Sequence, residues 1–323
     1  MKHILVETQI KGYFKTQEGL FKNKFTRNFG RIIDGLIRDE NVSGIDTGGS
    51  SFTINTGSGG LVRSISTIYP QGVTLFTAYG TGASPPAITD TNIVLDTIIP
   101  TSIIDIIETP EETSIVVGGR YTVPTAKTFA EMGLFLQVDR RCLLARSLVS
   151  ATKTPFVTYL EGYQLSFPAT FTRWFVRALY SAMVGHYSAQ GHALVARAVD
   201  GSYYVLNSGD TFRGALDIMI GKDNSPASPE HYNLLSPITS LANQIQIVEE
   251  DTAVQEIRII RQGTYSPTTE VTLGEVGLFA DLYGFRDTTG ANRRTLLVRV
   301  PIDPPITLTP GTTYTIGIVI RLS

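Results

Sequence analysis

Most of this chain follows the two-residue alternation of apolar and polar positions that suits a half-buried strand. Ile4–Phe14 and Gly19–Phe25 fit it, with Lys15-Thr16-Gln17-Glu18-Gly19 as the turn between them. The longest clean run comes last. In Thr312–Leu322 the residues Tyr314, Ile316, Ile318 and Ile320 face one way, and Pro310-Gly311 turns the chain into it. Helical spacing replaces this rhythm in two places. Phe29, Ile32, Ile33 and Leu36 form one apolar stripe, with Thr26 or Asn28 available to cap its start. Phe175, Ala178, Leu179 and Ala182 repeat the spacing. Both helices are expected to lie across a sheet, with Arg27, Arg31, Arg173 and Arg177 on the far side or at the edge.

The second helix belongs to a wider repetition. Phe25-Thr26-Arg27-Asn28-Phe29-Gly30-Arg31 returns as Phe171-Thr172-Arg173-Trp174-Phe175-Val176-Arg177, at an offset of 171 − 25 = 146. Glu131-Met132-Gly133-Leu134-Phe135 returns as Glu275-Val276-Gly277-Leu278-Phe279, at 275 − 131 = 144. Gly80, Ser84, Pro85 and Asn92 return as Gly221, Ser225, Pro226 and Asn233, at 221 − 80 = 141. Order and offset are both kept, as a duplication requires. The closing strands Val276–Phe279, Leu296–Val300 and Thr312–Leu322 then have first-copy counterparts that end with Tyr163, Leu165 and Phe167 after Glu161-Gly162. The boundary is placed near residue 153, giving modules 1–153 and 154–323.

Between the repeats, Asp46–Gly60 reads as loop or edge, and Leu61–Ile68, Val73–Tyr79 and Val254–Arg261 as strands. Ala193–Val199 and Ser202–Asn207 read as a hairpin around Asp200-Gly201. Short strands, frequent turns and one short amphipathic helix per copy predict a mainly β protein of two tandem, jelly-roll-like β-sandwich modules. Each sandwich leaves edge strands that must be covered or used.

Composition narrows the function. A net charge of −2 provides no field that would argue for nucleic acid or an anionic membrane. The richest apolar stretch, Ile93–Ile107, is interrupted by Asp96, Pro100 and Asp105, so no membrane span is expected. The N-terminus lacks the pattern of a signal peptide, which points to synthesis in a cytoplasm. The lone Cys142 sits in an apolar run and reads as a buried, inert thiol.

Catalytic chemistry is sparse. His3, His186, His192 and His231 lack ligand spacing. Gly48-Gly49-Ser50-Ser51 and Gly57-Ser58-Gly59 lack the frame of a nucleophile elbow, and no phosphate-binding Lys-Ser/Thr loop is present. The clusters Glu108, Glu111, Glu112 and Glu249, Glu250, Asp251 read as solvated turns, and Asp287–Asn292 as a hairpin tip. No catalytic residue, metal or cofactor is therefore assigned, and the chain is not expected to be an enzyme. Glu131 with Arg146, and Glu275 with Arg299, are expected as cross-strand ion pairs, worth about 0–1 kcal/mol if exposed. Trp174, Tyr180, Tyr187, Tyr203 and Tyr204 form the candidate interface set, with core or module junction as the alternative.

The run Glu275–Phe279, Leu296–Arg299, Ile306–Gly311 and Thr312–Leu322 resembles β-rich virion structural proteins of tailed bacteriophages and archaeal viruses. The first copy keeps Glu131, Gly133–Phe135, Leu143-Leu144-Ala145-Arg146 and Glu161-Gly162. The loop Gly80-Thr81-Gly82 to Ser84-Pro85, followed by Thr91-Asn92, is similar too, as is the opening strand pair leading to Asn28-Phe29-Gly30. The resemblance implies a capsid, neck or tail component of a virus particle that assembles with itself and docks to other virion proteins. The repeat adds the idea of a trimer presenting six like modules in a ring. A host-attachment module that binds a surface glycan through tyrosine-lined loops is the alternative, followed by a carbohydrate-active enzyme and by a cellular β-sandwich protein.

Overall fold

The computed structural model describes residues 1–57, 61, 75–101, 103–184, 188–189, 192–206, 211–283 and 292–323. The chain is mainly β, with two helices among the described residues. Its first half runs β1 (Lys2–Thr16), β2 (Gly19–Lys22), β3 (Lys24–Phe25), α1 (Arg27–Arg38), β4 (Val42–Ile45), β5 (Ser51–Ile54), β6 (Leu75–Gly80), β7 (Leu95–Ile99), β8 (Ile103–Glu108), β9 (Glu112–Tyr121), β10 (Lys127–Gln137), β11 (Arg141–Lys153) and β12 (Tyr159–Pro168). The second half runs α2 (Arg173–Val184), β13 (Ser188–Ala189), β14 (His192–Ala193), β15 (Val195–Arg197), β16 (Tyr203–Val205), β17 (Asp217–Gly221), β18 (Pro237–Ser240), β19 (Ala242–Asp251), β20 (Glu256–Tyr265), β21 (Val271–Tyr283), β22 (Asn292–Leu308) and β23 (Tyr314–Leu322).

Pairing registers make the two halves equivalent strand by strand. In the first, β10 pairs with β11 and β6, and β9 pairs with β8 and β12. In the second, β21 pairs with β22 and β17, and β20 pairs with β19 and β23. The outer strands of both halves join one large sheet in the order β19-β20-β23-β1-β12-β9-β8. β1 runs parallel to β23 through Lys2–Ile10 and antiparallel to β12 through Lys11–Lys15. The equivalent strands β12 and β23 therefore flank β1 in opposite directions, so the halves are related by a half-turn about an axis that passes through β1 perpendicular to the large sheet. Each half also has a separate larger sheet, β3-β11-β10-β6-β7 in the first and β18-β17-β21-β22 in the second, while β4-β5, β13-β14 and β15-β16 form two-stranded sheets and β2 pairs with β1.

Alternation decides which face goes inward. In β1, Ile10, Gly12, Phe14 and Thr16 are buried while Lys11 and Lys15 are exposed. In β23, Tyr314, Ile316, Ile318 and Ile320 are all buried. The α1 stripe of Phe29, Ile32, Ile33 and Leu36 is buried as well. Thr26 is the N-cap residue, but its hydroxyl donates to the Leu143 carbonyl (2.6 Å) and makes no helix-cap bond. Asp39, at φ 58°, ends the helix in the left-handed region, its N–H reaching back to the carbonyls of Gly35 and Leu36.

Each helix crosses to the other half. α1 contacts its own β11 and β4, and also β19 and β20. α2 contacts its own β22 and β15, and also β8 and β9. An ideal Cβ on Gly30 would come within 2.6 Å of Ile257 of β20, which shows how closely α1 approaches that strand. Both helices do lie across a sheet, but across the other half's part of it.

Several sequence expectations need adjustment. Tyr159 and Tyr314 are equivalent: Tyr159 pairs with Tyr121 as Tyr314 pairs with Tyr265. β12 is thus the closing strand of the first half, and the halves meet after Pro168 rather than near residue 153. Gly162 matches Gly317, not Gly311. Within Asp46–Gly60, Ser51–Ile54 is a strand that pairs with β4. Val73–Tyr79 corresponds to β6, and the hairpin around Gly201 is β15–β16. Apart from Leu61, the proposed strand Leu61–Ile68 lies outside the described residues, as do Ser58, Gly59, His186 and nearly all of Asp287–Asn292.

Candidate functional site

The two Glu–Arg pairs stand at matching places. Gly133 is the register partner of Arg146, and Gly277 that of Arg299. Each Glu lies two residues earlier on its strand, so each pair is diagonal. Arg146 Nε donates to Glu131 Oε2 (2.7 Å), Nη1 to Asp90 (2.9 Å) and Nη2 to the Ser84 carbonyl (3.0 Å). Glu131 Oε1 accepts from the N–H groups of Gly82 (2.8 Å) and Val94 (2.7 Å). Arg299 Nε donates to Glu275 Oε2 (2.6 Å), Nη2 to Asp223 (2.9 Å) and Nη1 to the Ser225 carbonyl (3.0 Å). Glu275 Oε1 accepts from Ser236 N–H (2.8 Å). All four ionic side chains are buried, so the surface-pair value does not apply. The pairs tie the loop after β6, and the loop after β17, to the hairpin beneath. Satisfied throughout, they act as fixed struts and leave no free nucleophile or base.

A second set of ion pairs joins the halves. Arg31 Nε donates to Glu250 Oε1 (2.7 Å) and Nη2 to Oε2 (3.2 Å), with Arg27 Nε 3.5 Å from the same carboxylate. Reciprocally, Arg177 Nε donates to Glu108 Oε1 (2.7 Å) and Nη2 to Oε2 (2.8 Å), with Arg173 Nη1 3.4 Å away. Glu108 and Glu250 therefore face the helices and are not solvated turn residues. They close β8 and β19 on the inner face, where each meets the helix donated by the other half.

A third cluster has no equivalent in the second half. Lys153 Nζ donates to Glu161 Oε1 (2.6 Å) and to both Glu18 oxygens (2.9 and 2.8 Å). Gln17 N–H also reaches Glu161 Oε1 (2.9 Å). The hydroxyls of Tyr79 (2.7 Å) and Tyr121 (2.5 Å) donate to Glu161 Oε2. Burial, reinforced by the Glu161 carboxylate, holds both phenols well above their ordinary pKa, so they remain donors. Lys153 Nζ also lies 4.6 Å from the Tyr159 ring centroid. The register places Leu308, Ile316 and Ile220 where the first half has Lys153, Glu161 and Tyr79. All three are fully buried.

The aromatic set is mostly internal. Trp174 is buried and donates Nε1–H to the His231 carbonyl (3.0 Å). Tyr180 is buried and donates to the Ile104 carbonyl (3.1 Å), which ties α2 to β8. Tyr204 is buried, its hydroxyl bonded to Thr295 (2.5 Å). These three fasten the chain to itself, and their burial removes them from a surface role. Tyr187 lies outside the described residues. Tyr203 is 62% exposed and stands edge-on to Trp174 at 6.0 Å. Arg197 lies against Tyr203 (5.1 Å) and Tyr232 (3.7 Å). Phe156, which sequence reasoning missed, is 82% exposed at the turn between β11 and β12, where its φ is 60°.

The large sheet presents an open edge. Among the described residues, β19 hydrogen-bonds to a strand only on its β20 side. On the sheet's outer face, Ile245 (49%) and Ile247 (38%) of β19 are exposed. Register continues their rows through Gln262 and Gly317 to Leu5, and through Ile260 and Val319 to Glu7. Among the described residues no group of three or more His, Cys, Asp or Glu side chains is placed to hold a metal ion. Cys142 is buried, and burial pushes its thiol up to about 12. Comparison with known proteins finds no matching family model, no matching curated protein and no matching solved structure.

Proposed function

We propose that this chain is a structural component of a virus particle, a capsid, neck or tail protein built of two jelly-roll-like modules. It works by associating with copies of itself and with neighbouring virion proteins. The observation that carries this reading is the ten-residue edge strand β19, free of a strand partner on one side among the described residues and bordered by Ile245 and Ile247. Such an edge offers a row of backbone donors and acceptors to an incoming strand. It stands on a body whose halves are tied by a shared sheet and exchanged helices, which suits a rigid building block.

The half-turn between the copies also bears on symmetry. A ring of six like modules needs neighbours related by a sixth of a turn. A half-turn instead suits contacts about twofold axes, so pairing edge to edge replaces the trimer as the proposed arrangement.

Native mass spectrometry over a range of concentrations tests this reading. The natural chain should form an oligomer that the Ile245→Lys/Ile247→Lys double variant converts to a folded monomer. A natural chain that stays monomeric at every concentration removes it. A glycan-binding role is favoured by the exposed Tyr203 ring beside Arg197 and Tyr232. Its test is a glycan array on which the natural chain binds and Tyr203→Ala does not.

A further inference from the structure

The Lys153 cluster presents a question that packing does not answer. The second half places Leu308, Ile316 and Ile220 at the positions of Lys153, Glu161 and Tyr79, all fully buried within the same register. The architecture is therefore satisfied by apolar side chains there. Replacing a buried ion pair by well-packed apolar residues is generally neutral or stabilising, because two desolvated charges recover little more than they lose. The charged version needs a reason beyond packing.

We infer that Lys153 and Glu161 are the two halves of an intramolecular amide cross-link, formed by condensation of the amine with the carboxyl and assisted by Glu18, Tyr79 and Tyr121. Lys153 Nζ is held 2.6 Å from Glu161 Oε1, which sets the amine against the carboxyl group whose Cδ it would attack. The other carboxyl oxygen, Oε2, accepts hydrogen bonds from two phenols at 2.7 and 2.5 Å. It is thus prepared for the negative charge that develops when the carbonyl carbon is attacked. Glu18 touches Nζ through both of its oxygens and is partly exposed. It can accept a proton from the ammonium, and released water has a way out beside it.

The balance closes without a co-reactant. Glu18 takes one ammonium proton and passes it to Glu161 Oε1, leaving a neutral amine beside a neutral carboxylic acid. The Nζ lone pair then forms a bond to Glu161 Cδ, and the oxyanion at Oε2 is held by Tyr79 and Tyr121. A second proton leaves Nζ through Glu18 to Oε1, the Cδ–Oε1 bond breaks, and water departs. Glu18 ends as the carboxylate it began as. The product is one N–C bond with its remaining N–H, no atom is oxidised or reduced, and the net loss is one water.

The cross-link would join β11, in the separate sheet of the first half, to β12, in the large sheet. It would fasten the two layers at the end of the first half, beside the exposed turn that carries Phe156. The inference concerns the chain's own chemistry and does not depend on a role in a virus particle.

Intact-mass measurement of the denatured, purified chain decides it. The natural chain should be lighter than its sequence by one water. Proteolysis should yield a branched peptide in which the Lys153 side chain is joined to the Glu161 side chain. Lys153→Arg should restore the full sequence mass, and Glu18→Gln should reduce the cross-linked fraction at least tenfold at equal times after synthesis. Loss of the initiator Met is common to all the proteins and is subtracted. A natural chain at its full sequence mass overturns the inference, as does a water loss that persists in Lys153→Arg. The first of these readings uses only the natural chain, so failure of a variant to fold cannot obscure it.

Discussion

The exchange of helices makes a prediction about where this chain can be divided. Cleaving it between β12 and α2 gives fragments 1–168 and 169–323, each with one of the two exchanged helices and the sheet strands that receive the other fragment's helix. α1 buries Phe29, Ile32, Ile33, Leu36 and Ile37 almost completely. At about 1.5–3 kcal/mol per fully buried large apolar side chain, this helix contributes roughly 8–15 kcal/mol of gross burial. α1 lies between its own β11 and β4 and the second half's β19 and β20, so about half of that total, roughly 4–7 kcal/mol, crosses between the halves. α2 buries Phe175, Val176, Leu179 and Met183 in the same manner and adds roughly 3–6 kcal/mol more. Cleavage also separates β1 from β23, a ladder of nine register pairs.

The crossing terms are as large as the whole net stability of a typical domain, about 5–15 kcal/mol. Neither fragment should therefore fold alone, and equimolar mixing should restore a compact complex. Size-exclusion chromatography, near-UV circular dichroism and chemical denaturation of each fragment and of the mixture would show it. A dimer of one fragment would be in keeping with the reasoning, since two copies could exchange helices as the halves do. A monomeric fragment 1–168 that unfolds cooperatively would refute it.

Other outcomes follow from single sites. Arg299→Met should cost about 3–5 kcal/mol in chemical denaturation, because it strands the buried Glu275 carboxylate, whereas a loss under about 1 kcal/mol would mean the pair behaves as an exposed one. Hydrogen bonds from Arg321, then Arg258, hold the Glu256 carboxyl below the usual carboxylate range. A carboxyl depressed in the folded state stabilises at pH above its unfolded value and loses that contribution as pH falls through its folded value. Glu256→Gln should thus lower stability by up to about 1 kcal/mol near neutral pH, with the difference shrinking as the pH falls through the folded value of Glu256, as paired denaturation curves would show. The thiol of Cys142, pushed up to about 12 by burial, should resist an aromatic disulfide reagent near neutral pH in the native chain and react once the chain is unfolded.

The repetition was legible because its strongest signatures are short and lie where structure demands the same residues twice. Glu131 with Arg146, and Glu275 with Arg299, recur because each pair braces the same loop against the same hairpin. The α1 stripe was legible from helical spacing alone. The end of the first half was harder to find, because the offset between halves drifts. Glu and Arg are 15 residues apart in the first half and 24 in the second, so the β21–β22 hairpin is longer. Beyond it the equivalence becomes Tyr159 with Tyr314, an offset of 314 − 159 = 155. A search at one fixed offset misses that, and with it the contrast between Lys153 and Leu308. Exchange of the helices was not legible at all. Glu108 and Glu250 resemble solvated turn residues until the sheet brings Arg177 and Arg31 to them from the opposite half.

Agreement and disagreement between the halves separate what the architecture needs from what this chain adds. The Thr154 N–H donates to the Tyr159 hydroxyl at 2.6 Å, and the Thr309 N–H to the Tyr314 hydroxyl at 2.9 Å. The arginine clamps on Glu108 and Glu250 are likewise matched, down to a second bond from each arginine to the β15 or β4 backbone. Features kept twice in one fold are explained by the fold. Features kept once are not: the Lys153–Glu161 cluster, the exposed Tyr203 ring, and Asp34 of α1, which is bonded to Arg38 and Gln246 where the equivalent position of α2 holds Tyr180. If the unmatched features were accidents of drift, the buried one would be the least expected to persist. A surface tyrosine costs little, whereas two charges placed in a core that otherwise accepts Leu308 and Ile316 carry a desolvation penalty of several kcal/mol each. That penalty has to be offset in the folded protein, either by the full hydrogen bonding observed or by conversion of both charges into one neutral amide, and only the second removes it permanently.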